Sequence, residues 1–549
     1  MANPRIIIGL DFGTTYSGVA WALSDCADKP EVITSWPGGG NRTTPKVPST
    51  MMIKCGGRVN WGYQTNYLVG DNIRGMKLLL DEPQNPEYVA SLIGAGILKK
   101  SRIPAVTLTG MYLTELVNHT NKILQRRFGP AVEEMEMQYV LTVPAIWSDK
   151  AKDATLNAAL KARIPQRNMT LVSEPEAAAL YCLHTIQPNS IENNDVVVVC
   201  DAGGGTVDLI SYCVTTMSPL CLEEVAEGTG DICGSVMLDV GFKDFLNVLV
   251  DDKHLSSKSC ELALRYWQDH IKPNFASDQD FEEETHFVPL PGLKDNRKIG
   301  LQDGFLQLDG TQIKKIFDPV VDRVKVQIIY QVNGARAKKK PVKAILLVGG
   351  FGSSEYLHRC IQETFNDIIV MQPPNSYVLR QCHGAVQHGL EGNKVKKRIA
   401  RCHYGITHTT SNLETMAKFP NANKYWDDLE EKWYIDDLGD VICEGEPIRM
   451  NFYQRRAVNE KPIFTCKLKI CLRSEAPERR DSGVYKLCSL TSDLSSVPTH
   501  FFMHHTNSKD QVYYTVSYDV KMTPQSASIK FELEFNGHSY GEVQATYFE

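Results

Sequence analysis

Two rhythms of apolar and polar residues divide the chain. Short β-branched runs ending in Gly, Asp or Pro, namely "RIIIGLDF", "MQYVLTVP", "DVVVVCDA" and "KAILLVGG", read as strands of a sheet covered on both faces. Between them lie stretches with apolar residues three and four apart, among them "GMYLTELVNHTNKILQRRF" and "VGFKDFLNVLVDD", which predict amphipathic helices. This alternation predicts an α/β fold for residues 1–391. From residue 402 the period becomes two. "FTCKLKICL" puts Phe464, Cys466, Leu468, Ile470 and Leu472 on one face, and "VYYTVSYDVKM" does so with Val512, Tyr514, Val516, Tyr518, Val520 and Met522. "IKFELEFNG" alternates Ile529, Phe531, Leu533 and Phe535 with charged residues and ends in an Asn-Gly hairpin signal. Residues 402–549 therefore predict a C-terminal antiparallel β-sandwich-like domain.

Between the two regimes lies "GNKVKKRIAR", residues 392–401, whose basic character reads as a solvated linker. "ARAKKKPVK", starting at Ala335, reads likewise as an exposed approach to a strand.

One internal repeat stands out. "GLDFGTTYSG" begins at Gly9 and "CDAGGGTVDL" at Cys200, so an apolar run, an aspartate, a glycine turn and a threonine occur twice, with the aspartates 201 − 11 = 190 residues apart. Glycine turns let backbone N–H groups converge on an anion without side chains in the way. Phosphate suits such a cradle. An aspartate beside a phosphate would repel it unless a divalent cation lay between, so Asp11 and Asp201 point to hydrated Mg²⁺. The competing reading is a pair of tight strand turns. No GxxxxGK[ST] loop occurs, so two opposed hairpins would have to do the work of one.

Composition narrows the class. At 549 residues with 42% hydrophobic content the chain is long enough for two or three cores. Its net charge of −6 gives no electrostatic case for nucleic acid. No apolar run is long enough to span a bilayer and no signal-peptide pattern opens the chain, so cytoplasm, or the nucleus, is the expected compartment. The 15 cysteines form no zinc-like spacing; Cys466 and Cys471, the nearest pair, read as core thiols.

"IGLDFGTTYSGVAW", "GGGNRTTPKVPS", "VLTVPAIWSDKAKDATLNAAL", "LVSEPEAAALY", "VVCDAGGGTVDLISY", "ILLVGGFGSSEYL" and "HGAVQHG" occur in that order. Together they resemble the phosphate, connecting and adenosine motifs of the actin-like ATPases, and specifically of the heat-shock 70 (DnaK-like) chaperones. The resemblance spans residues 5–390. It implies a two-lobed actin-like ATPase fold with duplicated ribonuclease-H-like cores and ATP or ADP with Mg²⁺ in the cleft. One hairpin would then come from each lobe.

The resemblance also implies roles. Asp11, Gly13, Thr14, Thr15 and Tyr16 are similar to the first phosphate loop, and Gly203, Gly204, Gly205 and Thr206 to the second. Asp11, Glu174 and Asp201 match the acids that orient hydrated magnesium. Lys77 takes the place of the lysine near the γ-phosphate, and Lys77, Glu174, Asp201 and Thr206 are the implied catalytic set. Gly230, Lys272, Gly349, Gly350 and Ser353 complete the implied nucleotide contacts. Each carries an alternative: Lys77 a solvated helix lysine, Glu174 an acid at a helix start beside Pro175, Asp208 either a helper of the second loop or an exposed acid on the following strand. Small residues at Ala177–Ala179 and Gly384–Val386 suit either close helix contacts at a hinge or ordinary core packing.

Departures from the family weigh on function. Pro273 and Ser353 stand where two arginines sandwich adenine, and neither can stack on a purine, so weaker but not absent nucleotide binding is expected. The basic connector replaces an acidic, leucine-rich linker whose docking couples the domains. "TSNLETMAKFPNANKYWDDLEEKWYIDD" does not resemble the peptide-clamping loops, and no helical lid is expected after the β region. The whole is most similar to the short, divergent heat-shock-70-like branch that includes the family-12 proteins of animals and many fungal paralogues. Three functions follow: an ATP-hydrolysing chaperone-like protein that binds polypeptide clients and works with nucleotide-exchange or J-domain-type partners; a nucleotide-sensing protein with little turnover that recruits one protein partner; and a metabolite kinase, which "GNRTTP" and the β-rich tail disfavour.

Overall fold

A computed structural model describes residues 4–25, 30–54, 56–65, 72–81, 103–185, 191–250, 255–276, 285–373, 380–399, 402–410, 424–427, 432–442, 448–473 and 482–548. The chain divides into two compact units, Met1–Lys397 and Arg398–Glu549.

The first unit contains one strand arrangement twice. β1 (Ile6–Phe12) pairs antiparallel with β2 (Tyr16–Leu23) and parallel with β5 (Met137–Val143); β3 (Glu31–Val32) and β4 (Lys46–Pro48) pair with β2, and β6 (Met169–Ser173) lies parallel to β5. The sheet order is β3-β2-β1-β5-β6. In the second sheet β7 (Val196–Ala202) pairs antiparallel with β8 (Val207–Met217) and parallel with β11 (Val342–Val348); β9 (Leu220–Glu224) and β10 (Thr229–Asp231) pair with β8, and β12 (Ile369–Met371) lies parallel to β11. Its order, β9-β8-β7-β11-β12, repeats the first. Every residue of β1 and of β7 is buried, as strands covered on both faces require. This mixed α/β arrangement fits the actin-like ATPase fold.

The long helices α1 (Ala105–Phe128) and α5 (Gly310–Ala337) precede β5 and β11, while α2 (Asp149–Lys161) and α6 (Glu355–Thr364) connect each to the last parallel strand. Two further helices are exchanged. α3 (Glu174–Thr185) leaves the first sheet but packs Ala178, Leu180 and Leu183 against Val197, Val199 and Ile210 of the second. α7 (Arg380–Glu391) leaves the second sheet but packs Cys382, Ala385 and Val386 against Ile7, Ala20 and Val140 of the first. Between α4 (Val236–Val250) and α5 lies the second sheet's other core face, centred on Phe242, Trp267 and Phe317.

The connector is exposed at residues 392, 393, 396 and 397, as a solvated segment should be, but not at Val395. β13 (Val395–Lys397) pairs parallel with β9 as an added edge strand, and Val395 is buried among Leu220 and Leu222. A single valine between lysines suffices, because only every second residue of an edge strand faces the core.

The second unit is antiparallel. One sheet runs in the order Lys424–Asp427, Lys432–Ile442, His403–Thr410, Ile463–Cys471, Val484–Asp493, Gln544–Tyr547; the other runs Ile448–Ala457, Val512–Pro524, Ile529–Phe535, His538–Glu542, with Met503–Thr506 also on Val512–Pro524. Leu468 and Leu490 of one share a core with Tyr518 and Phe531 of the other. Asn536 and Gly537 both take positive φ, 49° and 78°, as a two-residue hairpin of that sequence should. Two face assignments are corrected. A register shift between Leu468 and Lys469 turns the end of that strand over, so Cys471 is buried and Leu472 is 67% exposed; Val512, at a strand start, is exposed as well. Of the stretch 410–437, residues 411–423 and 428–431 lie outside the described residues. Among the described residues no helix is long and apolar enough to cross a membrane.

Candidate functional site

Each glycine turn links the first two strands of its sheet, and the two turns meet. A β-carbon on Gly204 would lie 2.6 Å from the Thr15 hydroxyl oxygen, and one on Gly205 would lie 2.6 Å from that of Thr14. Glycine is therefore required on the second hairpin because the first occupies the space beside it. Each turn is closed from within: the Gly203 N–H donates to the Thr206 carbonyl at 2.9 Å, and Gly13 packs against the carbonyl of Tyr16. Tyr16 itself is half exposed and Thr206 buried.

Buried acids stand behind the hairpins, at the ends of β1 and β7 and around them. Asp11 and Asp201 are each 2% exposed, Glu174 begins α3, and Asp208 is fully buried on β8, opposite Gly230 in register, which corrects the exposed-acid reading. Thr142 donates to Asp11 Oδ1 at 3.1 Å, Lys46 Nζ lies 3.0 Å from Asp11 Oδ2, Gln381 donates to Asp201 Oδ2 at 2.6 Å, and the Ile146 N–H donates to Asp208 Oδ1 at 3.0 Å. Lys77 is buried and ion-paired to Glu174, with its ammonium 5.6 Å from the centre of the Trp147 ring. It is no solvated helix lysine.

Four carboxylates thus face two ammonium groups, a formal excess of two negative charges. Burial, with Asp208 and Asp11 nearby and against the Gln381 hydrogen bond, pushes the Asp201 carboxyl up to about 7. Burial also pushes Glu174 upward; Lys77 opposes this, and the neighbouring carboxylates add to it. Burial, the largest single influence, would lower the Lys46 ammonium, but Asp11 together with Cys382 and Asp201 more than offsets it and holds the group above its ordinary value.

A divalent cation fits this cluster. Asp201 Oδ1 is buried without a hydrogen-bond partner, and Gly349, at φ 83°, approaches it so closely that any side chain there would collide with it. Among the described residues no three His, Cys, Asp or Glu side chains converge as a direct metal cage. An ion here would be held through its waters and through phosphate, the habit of Mg²⁺.

Lys272, Pro273 and Ser353, where the resemblance puts adenine, make other contacts. Lys272 Nζ pairs with Asp239 of α4 at 2.7 Å, Pro273 is exposed, and the Ser353 hydroxyl donates to the Gly350 carbonyl at 2.8 Å, closing the turn Gly349–Gly352 after β11. At the other end the small residues of the exchanged helices do meet, with Gly384 against Ala177.

Several contributors escaped sequence reading. Lys46, inside the quoted "GNRTTPKVPS", and Gln381, Thr142 and Trp147 carry no local signature of their own. Gly234, Ser235 and Val236 could have been found as a small-residue turn entering α4; their N–H groups donate to the carbonyls of Gly205, Gly203 and Gly204 at 3.1, 3.1 and 2.9 Å. The second hairpin's carbonyls are thereby turned away onto the helix N-terminus.

Comparison with known proteins bears on this geometry. A family model described as "Hsp70 protein" matches residues 98–370, which include Glu174, Asp201–Thr206 and Gly349–Gly350. "Heat shock 70 kDa protein 12A" of Homo sapiens is 23% identical, over 89% of this chain and 85% of its own length; "Heat shock 70 kDa protein 12B" of Homo sapiens is 21% identical over 90% and 84%. Together these matches identify a divergent heat-shock-70-like chain of the family-12 branch. "Chaperone protein DnaK" of Mesomycoplasma hyopneumoniae is 25% identical over 66% of this chain. For this heat-shock-70-like chain the first hairpin and Lys77 precede the model-matched span, and it is the internal repeat of strand order that pairs Asp11 with Asp201.

Proposed function

We propose that this heat-shock-70-like protein binds Mg-ATP between its two glycine hairpins, hydrolyses it slowly, and couples nucleotide state to binding of a polypeptide or protein partner by the β-rich unit. The observation that carries the reading is the meeting of Thr14 and Thr15 with Gly204 and Gly205 in front of a buried cluster of four carboxyl groups and two lysines. Backbone N–H groups of both hairpins would bind the phosphates, with Thr14, Thr15 and Thr206 adding hydroxyls. Asp11, Glu174 and Asp201 would hold the waters of Mg²⁺, whose chemistry is to neutralise phosphate charge. Lys77, kept in place by Glu174 and Trp147, would orient the attacking water and offset developing charge. The two antiparallel sheets with one core suit a sandwich-like binding unit.

The test is Mg-ATP binding by calorimetry and hydrolysis by phosphate release, for the purified protein and for Asp201→Asn and Lys77→Ala. Binding with slow turnover that falls at least about tenfold in both variants supports the reading. Absence of any nucleotide binding rejects it.

One observation favours a second reading, nucleotide sensing without turnover. Lys77 is buried and its ammonium is ion-paired with Glu174. ATP that stabilises the protein while all three forms are equally inactive would select it.

A further inference from the structure

Lys46 is not among the residues implied for nucleotide or metal, yet it sits against the first of them. It lies on β4, which pairs with β2 so that Lys46 stands opposite Gly18. Because Gly18 has no side chain, the lysine stem lies over the strand there, 3.4 Å from where a β-carbon would be, and its ammonium reaches Asp11. The two charged side chains are 16% and 4% exposed, so solvent screens the pair little. Both oxygens of Asp11 are taken, Oδ2 by Lys46 and Oδ1 by the Thr142 hydroxyl. Asp201 Oδ1, by contrast, is buried without a hydrogen-bond partner.

We infer that Lys46 is a resident cation: in the nucleotide-free protein it supplies the positive charge at Asp11 that a metal ion would otherwise supply, so Mg²⁺ alone is refused and enters only together with the phosphates. The physical reason is one of competition. A carboxylate with both oxygens engaged and an ammonium at 3.0 Å has little field left to hold the waters of Mg²⁺, and a second cation beside Lys46 would be repelled. Triphosphate brings enough negative charge to reverse that balance. Lys46 is a positioning and selectivity residue, not a catalytic one.

The second arm of the test below rests on the nucleotide reading; the first does not. In the first arm, chelator-treated wild type, Lys46→Gln and Lys46→Arg are titrated with MgCl₂ in the absence of nucleotide and followed by thermal unfolding. Lys46→Gln should be the least stable in chelator and should gain at least about 2 °C from Mg²⁺, while wild type and Lys46→Arg gain nothing measurable. The same gain in wild type as in Lys46→Gln, or no gain in either, overturns the inference. If Lys46→Gln does not fold in chelator, refolding with and without Mg²⁺ decides, recovery in Mg²⁺ alone supporting the proposal and no recovery in either overturning it. In the second arm ATP affinity is measured with Mg²⁺ and with chelator. The ratio of the two affinities should fall about tenfold or more in Lys46→Gln, because a site that already holds Mg²⁺ alone gains less from it when ATP binds, and an unchanged ratio counts against Lys46. A wild type that refuses ATP in both conditions rejects the nucleotide reading while leaving the first arm to judge Lys46.

Discussion

Gly384 of α7 lies so close to Ala177 of α3 that a β-carbon on the glycine would overlap the alanine carbonyl oxygen. Each of these helices is anchored on the sheet the other one came from, so their crossing is where the two sheets are tied together. The neighbouring turn of α7 also delivers Gln381 to Asp201. Gly384→Ala must push the helices apart, at a cost of about 1–3 kcal/mol for overpacking. Urea denaturation of the variant should show that loss. Unchanged stability would mean the crossing relaxes freely.

Lys77 and Glu174 are a buried ion pair whose partners cannot be removed singly without stranding a charge. Lys77→Ala or Lys77→Met should cost about 3–5 kcal/mol, whereas Lys77→Met combined with Glu174→Gln should recover most of it. ATP turnover should stay low in all three. A double-mutant cycle from denaturation curves gives the coupling, and a double variant as unstable as the single ones would assign the stability to Trp147 packing instead.

Much of this architecture is legible in the chain itself. β1 and β7 announce themselves because seven consecutive buried positions select β-branched and small residues, and the 190-residue offset of Asp11 and Asp201 is the offset of the strands themselves. The Asn536-Gly537 turn was legible because few dipeptides take two positive φ values. What stayed hidden depends on contacts between distant residues. An apolar helix face tells that α3 and α7 are covered, not that each is covered by the other's sheet. Lys46 reads as a surface lysine until Gly18 and Asp11 are seen beside it, and one register shift after Leu468 defeats any alternation rule for Leu472. Lys77, Glu174 and Asp208 looked ambiguous because helix-start and strand-surface acids are common; burial is what separates the readings.

The Asp201 carboxyl, pushed up to about 7 by burial, keeps a proton in the folded, metal-free protein at pH values where the unfolded chain, with an aspartate near 3.9, has lost it. The folded state therefore binds more protons between about pH 4 and 7, and stability falls as pH rises through that window. In chelator, wild type should lose on the order of 1–2 kcal/mol more than Asp201→Asn between pH 5 and 7. Parallel pH profiles of the two proteins in urea denaturation would show that Asp201 is ionised throughout.

Val395 is the only apolar side chain that ties the basic stretch Lys394–Lys397 to the sheet edge, 2% exposed between flanking lysines, while the Leu222 N–H donates to the Lys394 carbonyl at 2.9 Å. A protease needs these residues extended and free, so pairing with β9 should shield them even though trypsin cuts after lysine and arginine. Val395→Asp puts a charge where burial favoured the valine by about 1.5–3 kcal/mol, enough to release the strand. Trypsin should then cut between residues 392 and 401 at least about tenfold faster than in wild type, with the fragment before the cut remaining folded. If wild type and variant are cut at the same rate, β13 gives no protection and the connector is as solvated as its charge alone implies. If ATP slows cutting in wild type but not in Val395→Asp, nucleotide state reaches this edge strand, and the route from the hairpins to the connector runs through the second sheet, from β7 and β8 to β9.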